Sequence, residues 1–207
     1  MNTVRRSPQK PTGLFSVGLL SFFLCGCGCL SEHKSNNALD VRQWDSYVGS
    51  GTGIWVSIKD QELRLINNGK IVRRYACSTA RAGIGSRQDS GKTPSGWHRI
   101  AAKIGDGLPA GAILKDRQWT GRIWQAGQET EDDLILSRIL WLEGLEDGLN
   151  RGEGIDSQQR YIYIHGTNRI DELGRAASGG CVRLDPQAVI DLYDRVNEGT
   201  CVVITKD

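Results

Sequence analysis

HGTNRIDELGRAASGGCVRL, residues 165–184, is the stretch on which the reading of this chain turns. The run before it, Tyr161-Ile162-Tyr163-Ile164, predicts a strand ending at His165. An imidazole is thereby set at the rim of a sheet. Thirteen residues on, Ser178-Gly179-Gly180 lead into Cys181. Two glycines let the backbone turn sharply and let a substrate approach it closely. N–H groups in such a turn can converge on one point, as an oxyanion hole requires. A thiol becomes a nucleophile as thiolate, and a nearby imidazole promotes that form. Arg183, two residues beyond Cys181, shares its side of an extended backbone and could hold a carboxylate by paired hydrogen bonds.

Working outward, most of the chain reads as short strands. Ile54–Ile58, Leu63–Ile66 and Ile71–Cys77 are apolar or alternating runs, and Asn67-Asn68-Gly69-Lys70 is a hairpin signal. Trp97–Ile104, Leu134–Leu142 and Cys201–Ile204 read as further strands, with a loop over 83–95. Residues 105–133 read as a long glycine-containing segment of the kind used for lids, with Trp119 and Trp124 as lid packing or a glycan platform. Asp185-Pro186 predicts a helix start; Val189, Leu192, Tyr193 and Val196 recur at helical spacing, and Gly199 is the expected stop. The fold class is therefore mainly β with short helices (α+β).

The first residues read as an address. Arg5, Arg6 and Lys10 precede the apolar run Gly13–Leu24, which has the length of a signal-peptide core and is short for a membrane span. Without those three cations the formal charge falls from +2 to −1, so no excess remains to hold a polyanion, and nucleic acid is not an expected partner. Residues 1–26 are thus read as signal peptide, 27–52 as a polar flexible tether in which Trp44 and Tyr47 could dock, and 53–207 as the functional domain. Leu24-Cys25-Gly26-Cys27 resembles a bacterial lipobox, which implies cleavage before Cys27 and lipidation of its thiol. The chain would then sit, anchored by lipid, on the periplasmic face of an envelope membrane, the outer one in a Gram-negative cell. An unmodified Cys27 at the mature N-terminus, seen by mass spectrometry, would exclude this. Three cysteines remain, Cys77, Cys181 and Cys201, with neither a disulfide framework nor metal-site spacing. Cys77 and Cys201 lie in apolar runs and read as buried thiols or as a bridge. No metal or cofactor is expected.

His165-Gly166-Thr167, a loop, and Ser178-Gly179-Gly180-Cys181-Val182-Arg183 together resemble the signature of the L,D-transpeptidase catalytic domain, the YkuD-type family. Thr93-Pro94-Ser95-Gly96 resembles the family's T-P-x-G strand entry. The likeness covers about residues 53–205 and implies a YkuD-like β-sandwich. It implies Cys181 as nucleophile on the amide between the third residue of a peptidoglycan stem and the terminal D-alanine, and His165 as general acid and base. The Gly166 carbonyl would orient the imidazole, and the N–H groups of Gly180 and Cys181, in the loop of Ser178, would hold the oxyanion. Arg183 and Thr167 would serve the substrate. Transfer to an amine gives a 3→3 cross-link or protein attachment, and transfer to water a carboxypeptidase. A non-catalytic wall-binding lipoprotein is the remaining reading. Many members carry histidine or lysine where this chain has Gly179, which bears on the acceptor. His98, inside the T-P-x-G strand, is read as a packing or surface residue.

Overall fold

The computed structural model describes residues 41–128 and 130–207; Cys27 and the preceding leader lie outside them. Asn68 and Gly69 take φ of +49° and +68°, the left-handed pair that a tight hairpin needs. They join β2 (Glu62–Asn67) to β3 (Lys70–Ala76), and β1 (Thr52–Ser57) lies antiparallel to β2. From β1 the sheet continues to β10 (Cys201–Thr205), parallel to it, then to β4 (Gly96–Ile104) and β7 (Ile135–Gly144), each antiparallel to its predecessor. β7 also pairs with β8 (Tyr163–Thr167), which runs parallel to the short β9 (Val182–Leu184). A bridge between Ser78 and Arg183 ties the segment after β3 to β9, so the two ends of this strand order meet.

The mainly β architecture follows from alternation. Ile54, Val56, Leu63, Leu65, Ile100, Leu140, Leu142, Ile164, Val182, Leu184, Val202 and Ile204 point into one shared apolar core. α2 (Pro186–Tyr193) closes that core with Val189, Leu192 and Tyr193. Its start is fixed by Asp185, whose Oδ1 accepts from the N–H groups of Gln187 (2.8 Å) and Ala188 (3.3 Å), with proline at the first position. Because α2 begins one residue after β9, the cap also holds the strand that follows Cys181.

The structure departs from the sequence reading in three places. Residues 105–133 are not a bare loop: β5 (Ala112–Lys115) and β6 (Gln118–Ile123) form a hairpin whose first strand pairs with the start of β7. Glycines hid the alternation there, and every residue of β6 is exposed, so no core periodicity marks it. The expected tether includes a helix, α1 (Val41–Tyr47). Trp44 is buried against Trp97 with ring centroids 6.0 Å apart, and Tyr47 stacks on the same ring at 4.4 Å. Helix α2 ends at Tyr193, six residues before the glycine stop. Lys103 Nζ donates to the carbonyls of both Tyr193 and Val196 at 2.7 Å, capping the end early while Val196 stays buried. Of the two readings of Cys77 and Cys201, the structure has the free thiols: Cys77 is buried, and the half-buried Cys201 thiol donates to Tyr47 O at 3.2 Å.

His98 is wholly buried, between Gly96 O and Ser157 Oγ, each 3.0 Å from a ring nitrogen. Burial pushes its pKa down to about 4, against a lesser opposing pull from the Gly96 carbonyl. The unfolded chain therefore takes up the proton first as pH falls from 6.5, and stability is lost between there and pH 4. The loss is about 3 kcal/mol for a shift of this size. Urea unfolding at pH 7 and pH 4 should show His98→Gln losing less stability over this interval than the wild type. An equal loss in both proteins would contradict the assignment.

Candidate active site

β8 and β9 run parallel, with Ile164 opposite Val182 and His165 opposite Arg183. Side chains alternate along a strand. Ile164, Val182 and Leu184 therefore enter the core, while Tyr163, His165 and Thr167 share the other face with Cys181 and Arg183. Cys181 and His165 are thus brought to one face of adjacent strands, though far apart in the sequence. Cys181 is partly exposed and packs against the cluster of Leu114, Ile139 and Tyr163. Its sulfur accepts from Tyr163 N–H and its thiol donates to Tyr161 O, both at 3.4 Å. Tyr161 holds φ +56°, unusual for an aromatic residue.

His165 is buried, and its Nδ1 lies 2.8 Å from Gly166 O. That contact assigns the proton to Nδ1 and leaves Nε2 as the basic nitrogen. Gly166 has no room for a side chain, because a Cβ would stand 2.6 Å from Leu136 O. Across the sheet β7 is bulged: Leu136 pairs with Gly166 but Ile139 with His165, and Ser137 takes φ +65°. A bulge re-aims neighbouring side chains, and bulges recur next to active sites.

The nucleophile loop is pinned from within. Ser178 Oγ donates to Cys181 O (2.6 Å) and accepts from Gly180 N–H (3.2 Å). The Gly180 N–H, read from sequence as an oxyanion donor, is therefore engaged by this hydroxyl. Of the expected pair, the Cys181 N–H is the one the hydroxyl does not take. Gly180 itself holds φ +143°, where side-chain-bearing residues are rarely found. Thr93 of the T-P-x-G string gains a physical role: its Oγ1 donates to Gly180 O at 2.8 Å and accepts from Ala80 N–H at 2.9 Å. Arg160 adds a second brace, donating to Lys92 O at 2.8 Å and Gly85 O at 3.4 Å.

Arg183 is not placed as an open carboxylate receptor. It is 2% exposed, with Nη1 3.0 Å from Asp133 Oδ2 and Nη2 2.5 Å from Glu172 Oε2 and 3.0 Å from Ser78 Oγ. Thr167, read as substrate-facing, is fully buried; its hydroxyl donates to Asp133 (3.3 Å) and accepts from Arg169 N–H (3.1 Å). Both are scaffold for the loop that precedes β7. Asp133, Glu172, Ser78, Arg160 and Tyr163 were missed by sequence reasoning. Asp133 closes the 105–133 segment, and nothing in the sequence names its partner. At Gly179 a Cβ would meet no atom within 4 Å, so the glycine is not forced by space.

The electrostatics favour a neutral resting pair. Burial raises the Cys181 pKa to about 11; the Tyr163 N–H pulls it back, Asp133 adds to the rise, and the Arg160 and Arg183 cations oppose it. Burial lowers the His165 pKa, against the Gly166 carbonyl and Asp133, with Arg183 lowering it further. At neutral pH the site holds thiol and neutral imidazole, so the base must act during attack. Among the described residues no His, Cys, Asp and Glu cluster could hold a metal ion.

Fold and site together set a cysteine and a histidine on one face at the rim of a β-sheet. The family model described as YkuD, L,D-transpeptidase catalytic domain, matches residues 51–204, and the chain belongs to that family. YqjB of Bacillus subtilis (strain 168), named as an L,D-transpeptidase, is 43% identical over 48 residues, 23% of this chain and 27% of that protein. Solved structures similar to it include an L,D-transpeptidase from Mycobacterium smegmatis (TM-score 0.45, 16% identity, 76% of this chain and 59% of that one). L,D-transpeptidase 3 from Mycobacterium tuberculosis with a faropenem-derived adduct is another (TM-score 0.47, 15% identity, 76% and 61%). The chain thus spans less than two thirds of the length of each of these proteins.

Alkylation requires thiolate, and a raised thiol pKa keeps that form scarce at neutral pH. The iodoacetamide rate at Cys181, followed by peptide mapping, should rise about tenfold per pH unit from pH 7 to 10, given a pKa of about 11. A rate already level from pH 6 upward would show a resting thiolate and contradict the neutral pair.

Proposed function

We propose that this chain is a peptidoglycan L,D-transpeptidase in which Cys181 is the nucleophile and His165 the general base and acid. The observation that carries this reading is the parallel register of β8 and β9, which brings the two residues to one face. His165 is already oriented through Nδ1 on Gly166 O, so its Nε2 is free to take a proton. The donor is the tetrapeptide stem of peptidoglycan, attacked at the carbonyl of its third residue. The thiol proton passes to His165 as the C–S bond forms. The same proton then goes to the departing amine as the C–N bond breaks, releasing D-alanine and leaving a thioester on Cys181. The Cys181 N–H is the oxyanion donor in this scheme. An amine from a second stem or a protein then takes the acyl group, restoring the thiol. Hydrolysis of the same thioester is the competing outcome.

Arg183 acts in this scheme as a positioning residue, since its guanidinium is occupied by Asp133, Glu172 and Ser78. The Cys27 lipobox supports a lipid-anchored domain at the periplasmic face of an envelope membrane, within reach of the wall. The test is incubation of the purified protein with tetrapeptide-stem muropeptides. D-Alanine release is expected, lost by at least about a thousandfold in Cys181→Ala because no other side chain supplies the nucleophile. Because His165 must be neutral and its pKa is lowered, the acid limb of kcat/KM should fall below pH 6.5. D-Alanine release that survives Cys181→Ala would overturn the reading. Tripeptide as the sole product in the presence of acceptor stems would assign a carboxypeptidase instead.

A further inference from the structure

The hairpin tip between β5 and β6 is Asp116-Arg117, with φ of +49° and +66°. Such a turn normally selects asparagine or glycine. A long cationic side chain in the left-handed region is uncommon, and such outliers concentrate at functional sites. The hairpin rests on β7 through only two residue pairs, Ile113 with Leu136 and Leu114 with Ile135. Its tip reaches back over the site. The Arg117 guanidinium carbon lies 5.1 Å from the Trp141 ring centroid and 5.0 Å from that of Tyr161. Nη1 donates to Tyr163 Oη at 3.2 Å.

Two of these residues, Tyr161 and Tyr163, touch the nucleophile through their backbones, and Trp141 packs on the same apolar cluster as Cys181. Tyr161 is 52% exposed, so this is an open platform. The other cations near the sulfur are committed elsewhere: Arg183 to two carboxylates and Arg160 to two backbone carbonyls. Arg117 is only partly buried, and among the described residues it forms no ion pair within salt-bridge distance. A planar cation stacked on rings keeps its fork of donors available for a carboxylate.

From this geometry we infer that Arg117 is a specificity-determining residue that binds a carboxylate of the donor stem. This rests on the function proposed above. In the free enzyme the aromatic platform holds the guanidinium beside the scissile position. The tetrapeptide supplies two carboxylates near that position: the side-chain carboxylate of a diaminopimelate third residue and the terminal D-alanine carboxylate. Either would meet the same fork.

The test compares wild type, Arg117→Gln and Arg117→Lys on three tetrapeptides: unmodified, amidated on the third residue's side chain, and amidated at the terminal carboxylate. Release of D-alanine, or of D-alaninamide for the last, is followed, with thermal midpoints confirming folding. On the unmodified stem Arg117→Gln should raise KM about tenfold or more, the scale of a lost charge-assisted pair, with a smaller change in kcat. Arg117→Lys should recover part of that loss. One of the two amidations should cost the wild type a similar factor and leave Arg117→Gln indifferent, which identifies the carboxylate. If both amidations cost Arg117→Gln as much as they cost the wild type, the assignment is overturned while the functional reading stands. If the wild type releases no product from any of the three, the functional reading falls and this inference falls with it.

Discussion

One buried cation organises the end of this molecule that carries Cys181 and His165. Arg183 is almost fully enclosed on β9, two residues from the nucleophile, and charge in that setting must be matched locally. Asp133 arrives from the segment entering β7, Glu172 from the short 3-10 turn after β8, and Ser78 from the segment after β3. Four separate pieces of chain are therefore committed to one guanidinium. Removing it would take the buried counter-charge from both carboxylates, leaving Glu172 only the exposed Arg81 at 4.0 Å. The bridge between Ser78 and Arg183 makes the same connection in the backbone. Cys181 inherits its position from this arrangement, with Ser178 and Thr93 setting the last turn.

The Cys181–His165 pair of the proposed mechanism is uncharged at rest. Burial acts on both partners in the direction that disfavours charge, raising the thiol and lowering the imidazole. Asp133 disfavours the thiolate and favours the imidazolium, while Arg183 does the reverse, so the two ends of the clamp oppose each other at the site. A substrate that displaces water and offers its carbonyl lets the proton move only as the new bond forms. Such a site has low intrinsic reactivity towards adventitious electrophiles.

Much of the fold was legible because core alternation and turn chemistry agree. The Asn68-Gly69 hairpin, the strands around His165 and Cys201, and the start of α2 all follow from local rules. Those rules fail where long-range contacts decide. In the strands of the β5–β6 hairpin only Ala112 and Leu114 are buried, and α1 is held by an aromatic contact with Trp97, a partner that no local pattern announces. Lys103, ninety residues away, ends α2 early. At the site, residue type and order pointed to Cys181 and His165, which the strand register sets on one face. The roles of their neighbours were not legible: a guanidinium two residues from a nucleophile looks the same in sequence whether it faces substrate or two carboxylates. Arg117 carried no signal at all, since its importance lies in which rings it covers.

The account stands on a covalent bond between Cys181 and the stem's acyl group. Rapid acid quench of enzyme mixed with tetrapeptide, followed by intact mass and peptide mapping, reads that bond directly. The account predicts a tripeptide acyl adduct, the stem less D-alanine, on the peptide containing Cys181. D-Alanine release with the acyl group on another residue would contradict it.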